Sequence, residues 1–216
     1  MFIKKLIKNS FIFKIYNKLK NFILFSTQIF FFHKKLSKLK KIKIIIGAGN
    51  TNFKNWLSTN ICLLNLTDEN SFKKLLKNHK VDNFLAEHVF EHLTFEEAKL
   101  ATFNCSKYLK KGGVLRIAVP DGFFPDKNYI NQVKPGGYGA GAHDHKEIYN
   151  YQTIRKIFDE NVFKLNFFEF FDENSQFQYK PANQENGHII RSRFSDPRNT
   201  INEIKYTSII LDAIKQ

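Results

Sequence analysis

Apolar residues recur near helical spacing at the start of the chain: Phe2, Ile3, Leu6, Ile7, Phe11, Phe13, Ile15, Tyr16, Leu19 and Ile23. Lys4/Lys8 and Lys14/Lys18 are paired four apart. This predicts an amphipathic helix. From Ile42 the pattern becomes an unbroken apolar run to Ile46 that ends in Gly47-Ala48-Gly49-Asn50, a buried strand entering a glycine turn. Further strands are predicted over 61–66, 81–86, 114–119, 164–171 and 205–214. Helices are predicted over 71–78, with Asp68 as cap, and over 151–160. Thr94-Phe95-Glu96-Glu97 is a capping box. Helical spacing at Ala98, Ala101, Cys105, Tyr108 and Leu109 follows it and closes at Lys110-Lys111-Gly112-Gly113. Residues 123–149 show no apolar period and read as a long loop, and 172–200 as an irregular polar excursion. Strands alternating with helices predict a mostly parallel α/β sheet. The last two strands, joined without a helix, predict an antiparallel C-terminal edge.

Composition changes this picture mainly at the N-terminus. At 43% hydrophobic and 25% charged, the chain is globular in composition. Of its 34 basic residues, 12 are lysines within positions 1–43, where no acid occurs. The remainder therefore holds 22 basic against 20 acidic residues. Most of the net charge of +14 thus belongs to an extension, residues 1–41, and the nearly neutral domain at 42–216 has no electrostatic footprint for nucleic acid. The longest uncharged stretch of the extension, Asn21 to Phe32, is twelve residues, too short for a helix to cross a bilayer, and no small-residue cleavage site follows it. Two readings stay open for the extension: a helix on an anionic membrane surface, or a helix packed on the domain or on a second subunit. Cys62 and Cys105 make no disulfide framework, so a cytoplasmic location is expected, with possible peripheral attachment to the inner face of the membrane.

Two segments carry candidate chemistry. A glycine turn after the first strand lets a nucleotide-like ligand approach the backbone, although the third glycine of a dinucleotide fingerprint is missing. His88-x-x-Glu91-His92 has the inverted zinc-protease spacing. A zinc hydrolase would need both histidines on one helix face, whereas here a strand precedes the motif and the helix begins only at Thr94. No metal is therefore expected. His92 reads as a core histidine at the helix start.

Four segments occur in order: Ile-Gly-Ala-Gly-Asn (46–50), Trp-Leu-Ser-Thr-Asn (56–60), Ala-Glu-His-Val-Phe-Glu-His-Leu (86–93) and Leu-Lys-Lys-Gly-Gly-Val-Leu-Arg-Ile-Ala-Val-Pro-Asp (109–121). This succession resembles the class I S-adenosylmethionine-dependent methyltransferases, in particular small bacterial ones associated with surface-polysaccharide synthesis. The resemblance implies a Rossmann-like sheet, S-adenosylmethionine as cofactor, and a small-molecule or glycan acceptor. It places Gly47, Ala48, Gly49 and Asn50 against the methionine portion, Asn60 at the ribose, Asp68 at the adenine, and Glu87 and His88 beside the cofactor. Asn60 lacks the charge of the acidic residue usual at the ribose, which also admits a degenerate binding or scaffold protein. A hydroxyl acceptor would be helped by a base, and the long loop offers Asp121, His143, Asp144, His145 and Tyr149. His145 is the first choice because His-Lys-x-x-Tyr-Asn (145–150) matches the family pattern; the other reading is a loop histidine bonded to backbone. Oligomeric state is not legible.

Overall fold

The computed structural model describes residues 11–216 and divides the chain between Leu39 and Lys40. The helix predicted through Phe2, Ile3, Leu6 and Ile7, with Lys4 and Lys8, lies outside the described residues at those positions. In the first unit, α1 (Phe11–Leu36) ends on His33, Lys34 and Lys35, cations suited to the negative end of a helix dipole. Ile15, Tyr16, Leu19, Ile23, Leu24, Phe30 and Phe31 are exposed on it, as are Lys18, Lys20, Lys34 and Lys35. Among the described residues no helix is long and apolar enough to cross a membrane.

The second unit is built on one sheet of seven strands. They are β1 (Lys43–Ile46), β2 (Leu57–Ser58), β3 (Val81–Glu87), β4 (Leu109–Pro120), β5 (Phe163–Phe171), β6 (Phe177–Tyr179) and β7 (Ser208–Lys215), in the spatial order β2-β1-β3-β4-β7-β5-β6. Pairing is parallel from β2 through β4. β7 is antiparallel to both β4 and β5, and β6 to β5, so five strands run one way and two the other. This is the mostly parallel Rossmann-like sheet with antiparallel C-terminal strands that the sequence predicts. β7 lies inside the sheet, between β4 and β5, and the outer position falls to β6. The central strands read as continuous apolar runs because both faces are covered: Ile44, Phe84, Leu85, Leu115 and Ile117 are all fully buried.

Four helices complete the unit: α2 (Glu69–Leu76), α3 (Phe95–Tyr108), α4 (Lys127–Val133) and α5 (Tyr151–Arg155). α3 has the predicted capping box, Glu97 N donating to Thr94 Oγ1 and Thr94 N to Glu97 Oε2, and buries Ala98, Ala101 and Cys105.

Local structure differs from expectation in three places. The second strand is at 57–58, and 61–66 is turn, because the Asn60 side chain and carbonyl accept from the backbone of Leu63 and Leu64 and wind the chain. Lys110-Lys111-Gly112-Gly113 belongs to β4, where the register jumps from Val81↔Leu109 to Asn83↔Val114 and these four residues bulge out. Residues 123–149 contain α4, anchored by Tyr129 and Val133 against Phe124, Phe171 and Tyr206.

At the sheet centre the fully buried Arg116 forks onto Asp212, with Nε–Oδ1 2.6 Å and Nη2–Oδ2 2.8 Å. Its remaining donor, Nη1, reaches the carbonyls of Asn183 and Gly187. The segment 187–198 therefore starts from a fixed point and crosses the carboxyl ends of the strands.

Candidate active site

A cavity of about 630 Å³ opens at the carboxyl ends of β1 and β3, within the size range of small-molecule sites. One wall is the turn Gly47 to Thr51. The floor carries Glu87, His88, Glu91, His92 and His145, and the far wall Ile190, Arg191, Asp196 and Arg198.

The glycine turn is shaped by backbone geometry. Gly47 and Gly49 have φ of +59° and +52°, in the left-handed region that favours glycine. A Cβ on Gly47 would stand 2.8 Å from Val89 Cγ2, whereas one on Gly49 would meet nothing within 4 Å. Gly47 is thus required for packing, and Gly49 leaves the cavity wall open. Thr59 clamps the turn from behind, its N–H and hydroxyl donating to Ile45 O and its carbonyl accepting from Ala48 N.

Glu87 closes the end of β3. Its carboxylate accepts from Arg191 N at 2.6 Å and Ile190 N at 3.2 Å, so it tethers the 187–198 strap to the strand that floors the cavity. His88 follows at φ +55°. Ser208 Oγ donates its single proton to Arg191 O, so His88 Nε2 must be the donor in its 3.1 Å contact with that oxygen. His88 Nδ1 stands 3.1 Å from Glu91 Oε1, though no aligned hydrogen bond reaches either Glu91 oxygen. Burial pushes the Glu91 carboxyl up, but the charge and proximity of His88 outweigh it and hold the group below its ordinary value.

His145 enters from the segment after the turn at Ala142–Asp144. Its Nδ1 donates to Val133 O at 2.6 Å, leaving the Nε2 lone pair 4.0 Å from Glu91 Oε1. The backbone bond expected of a loop histidine is present, and the free nitrogen faces the cavity floor. His92, expected in the core, is instead one-third exposed, lines the cavity and meets His145 edge-on at 4.7 Å between ring centroids.

The structure thus gathers Gly47, Ala48, Gly49, Asn50, Glu87, His88 and His145 around one cavity. Asn60, Asp68 and Asp121 do not line it. Asn60 is occupied in its own turn, and Asp68 caps α2 by accepting from Asn70 N. Asp121 is fully buried at the end of β4, its oxygens accepting from Phe123 N and Phe171 N. Burial pushes its carboxyl up to about 6, against the pull of those two donors. The inverted zinc spacing does not form a ligand pair either, because both nitrogens of His88 are engaged. The sequence reading gave no role to Glu91, Arg191, Asp196 or Arg198. The charges of the polar excursion are the only sequence signal for Arg191, Asp196 and Arg198, whereas Glu91 stands inside His88-x-x-Glu91-His92.

The glycine turn after β1, the cavity over the strand ends and the reversed β7 set between β4 and β5 agree with the architecture the sequence motifs imply. The chain has the class I methyltransferase fold. Solved structures similar to it include a SAM-dependent methyltransferase from Archaeoglobus fulgidus, 16% identical, covering 89% of this chain and 94% of that one at a TM-score of 0.46. Another is magnesium protoporphyrin IX methyltransferase from Synechocystis with bound SAH, 12% identical, covering 96% and 88% at 0.43. A third is a SAM-dependent methyltransferase from Thermotoga maritima, described as a possible histamine N-methyltransferase, 10% identical, covering 94% and 97% at 0.49. No protein-family model and no curated protein matches the chain.

Proposed function

We propose that the protein is an S-adenosylmethionine-dependent methyltransferase acting on a hydroxyl of a sugar or glycan intermediate. The observation that carries this reading is the single cavity in which an open glycine turn faces a carboxylate and imidazoles. The backbone of residues 47–51 would hold the methionine portion, where the absence of a Cβ at Gly49 leaves room for it. Asn50 is the amide on the cavity wall, so ribose contacts fall to it rather than to Asn60. When bound, S-adenosylmethionine supplies a methyl group on a sulfonium for in-line displacement, a reaction in which alignment and exclusion of water do most of the work.

The chain's own residues act on the acceptor. Arg191, Asp196, Arg198 and His92 offer donors and acceptors suited to a polyhydroxylated molecule. The floor at Glu91 and His145 is where an acceptor oxygen would lose its proton. Calorimetry of the full chain with S-adenosylmethionine and with its demethylated product tests the reading. Saturable binding of both is expected; no heat and no thermal shift with either would overturn it, and binding without transfer to any hydroxylated acceptor would leave the degenerate binding protein.

α1 supports a second part of the reading. Its exposed phenylalanines and lysines suit the interface of an anionic membrane, with rings inserted and ammonium groups at phosphate. The protein would then work at the cytoplasmic face of a membrane.

A further inference from the structure

We infer that Glu91, His92 and His145 together bind a divalent first-row transition-metal ion on the acceptor side of the cavity. One ligand atom from each lies within 4.8 Å of those of the other two. The fold brings them together from separate segments: Glu91 and His92 sit in the turn after β3, and Lys146 N and Glu147 N donate to Glu91 O and dock the His145 segment against it.

The donor set is two imidazoles and a carboxylate, a combination suited to zinc, iron, cobalt or manganese. The surroundings orient it as metal ligands are oriented. His145 gives its Nδ1 proton to Val133 O, which aims the Nε2 lone pair into the cluster. His92 has the Asp144 carboxylate 3.6 Å behind its Nδ1, which leaves Nε2 for a ligand. Glu91 is 1% exposed, and neither of its oxygens receives an aligned hydrogen bond, so the carboxylate has lone pairs to fill in a place where leaving them empty is costly. His88 lies against Oε1 and leaves Oε2 unoccupied. Metal–ligand bonds of about 2.0–2.2 Å require the three atoms to draw slightly closer than they stand. The positions left open face the cavity, the arrangement of three protein ligands and a vacant site that catalytic metals use.

The inference rests on the methyltransferase reading for the ion's use, not for its binding. An ion here would hold the acceptor oxygen and lower its pKa, so that the proton leaves to water before methyl transfer.

The test is titration of the full chain, after chelator treatment, with Co²⁺ alone, followed by visible absorption and calorimetry and then by displacement with Zn²⁺. One Co²⁺ per chain is expected, weakened about tenfold or more in His92→Ala and in His145→Ala and unchanged in His143→Ala, which alters an exposed neighbour outside the cluster. Because His92 is one-third exposed, its truncation carries the test even if His145→Ala does not fold. Absence of saturable uptake, the outcome if His145 acts directly as a base, overturns the inference, as does uptake that survives both substitutions. Binding of S-adenosylmethionine to the same metal-free sample is measured separately. If it persists without metal uptake, the ion falls and the methyltransferase stands; metal uptake without cofactor binding removes the methyltransferase and keeps the ion.

Discussion

His88 Nδ1 lies 3.1 Å from Oε1 of Glu91, a pair in which the carboxylate is 1% and the imidazole 13% exposed. Because Ser208 fixes the other ring nitrogen as a donor, the Nδ1–Oε1 contact needs one proton between the two atoms. Removing one member leaves the other polar group buried without its partner. His88→Gln is expected to cost about 3 kcal/mol, and the double variant with Glu91→Gln to cost less than the sum of the singles. Urea denaturation of the four proteins measures the coupling; strict additivity would show that the two do not share a proton.

At the glycine turn, Gly49→Val should remove cofactor binding while the protein still folds. A side chain at φ +52° costs about 1–2 kcal/mol of backbone strain, and its Cβ meets no protein atom within 4 Å. Gly47→Ala behaves oppositely, since its Cβ strikes Val89 and lowers the melting temperature first. Unchanged S-adenosylmethionine affinity in folded Gly49→Val protein would place the cofactor elsewhere.

His145→Ala should lower turnover roughly 10²- to 10⁴-fold and leave cofactor affinity within a small factor. The expectation follows from its position across the cavity from the glycine turn, with Nε2 beside Glu91. Single-turnover kinetics with a separate binding measurement checks it, and an equal loss in both would make His145 a clamp of its loop.

Asp121 carries a pH dependence of defined sign. Its carboxyl stands at about 6 in the fold against an ordinary 3.8, so the native state holds the proton more tightly than the unfolded chain. The stability this contributes is complete below about pH 4 and is lost as pH rises through 6. The advantage of the wild type over Asp121→Asn should shrink by about 2 kcal/mol between pH 4 and 7 in denaturation experiments. A difference that stays flat across that window would show that Asp121 titrates normally.

A chain beginning at Lys41 should fold and stay in the supernatant with anionic vesicles, whereas the full chain sediments with them and is released by salt. Sedimentation of the truncated chain, or of neither, would remove the membrane role of α1.

The features legible in the sequence are those that repeat over several residues. Ile42 to Ile46 and the capping box at Thr94 and Glu97 announce β1 and α3 because each is a local pattern with a local cause. β2 is two residues long and is held by pairing Leu57 and Ser58 to β1, which no periodicity can report. α4 has only Tyr129 and Val133 as buried anchors, too few to show a helical period. The site divides in the same way. Gly47 and Gly49 are visible because a turn demands them. Glu91 sits in a motif whose spacing suggests His88 as its companion ligand, while the partner that the fold supplies, His145, is far along the chain. Asp121 follows a strand end as cavity residues do, yet Phe123 and Phe171 draw it inward.

Two of the anchors that hold the strap over the cavity are Arg116 on the Gly187 carbonyl at its root and, further along, Glu87 on the amides of Ile190 and Arg191. Both anchors grip main chain, so they are indifferent to the side chains the strap carries. The exposed positions Arg191, Phe194 and Pro197 are therefore free to diverge without loosening the strap from the sheet, whereas Ser192 and Asp196 are buried. On the proposed methyltransferase reading, acceptor preference would then change with these positions while the glycine turn stays constant, and exchanging this short stretch would re-target the protein.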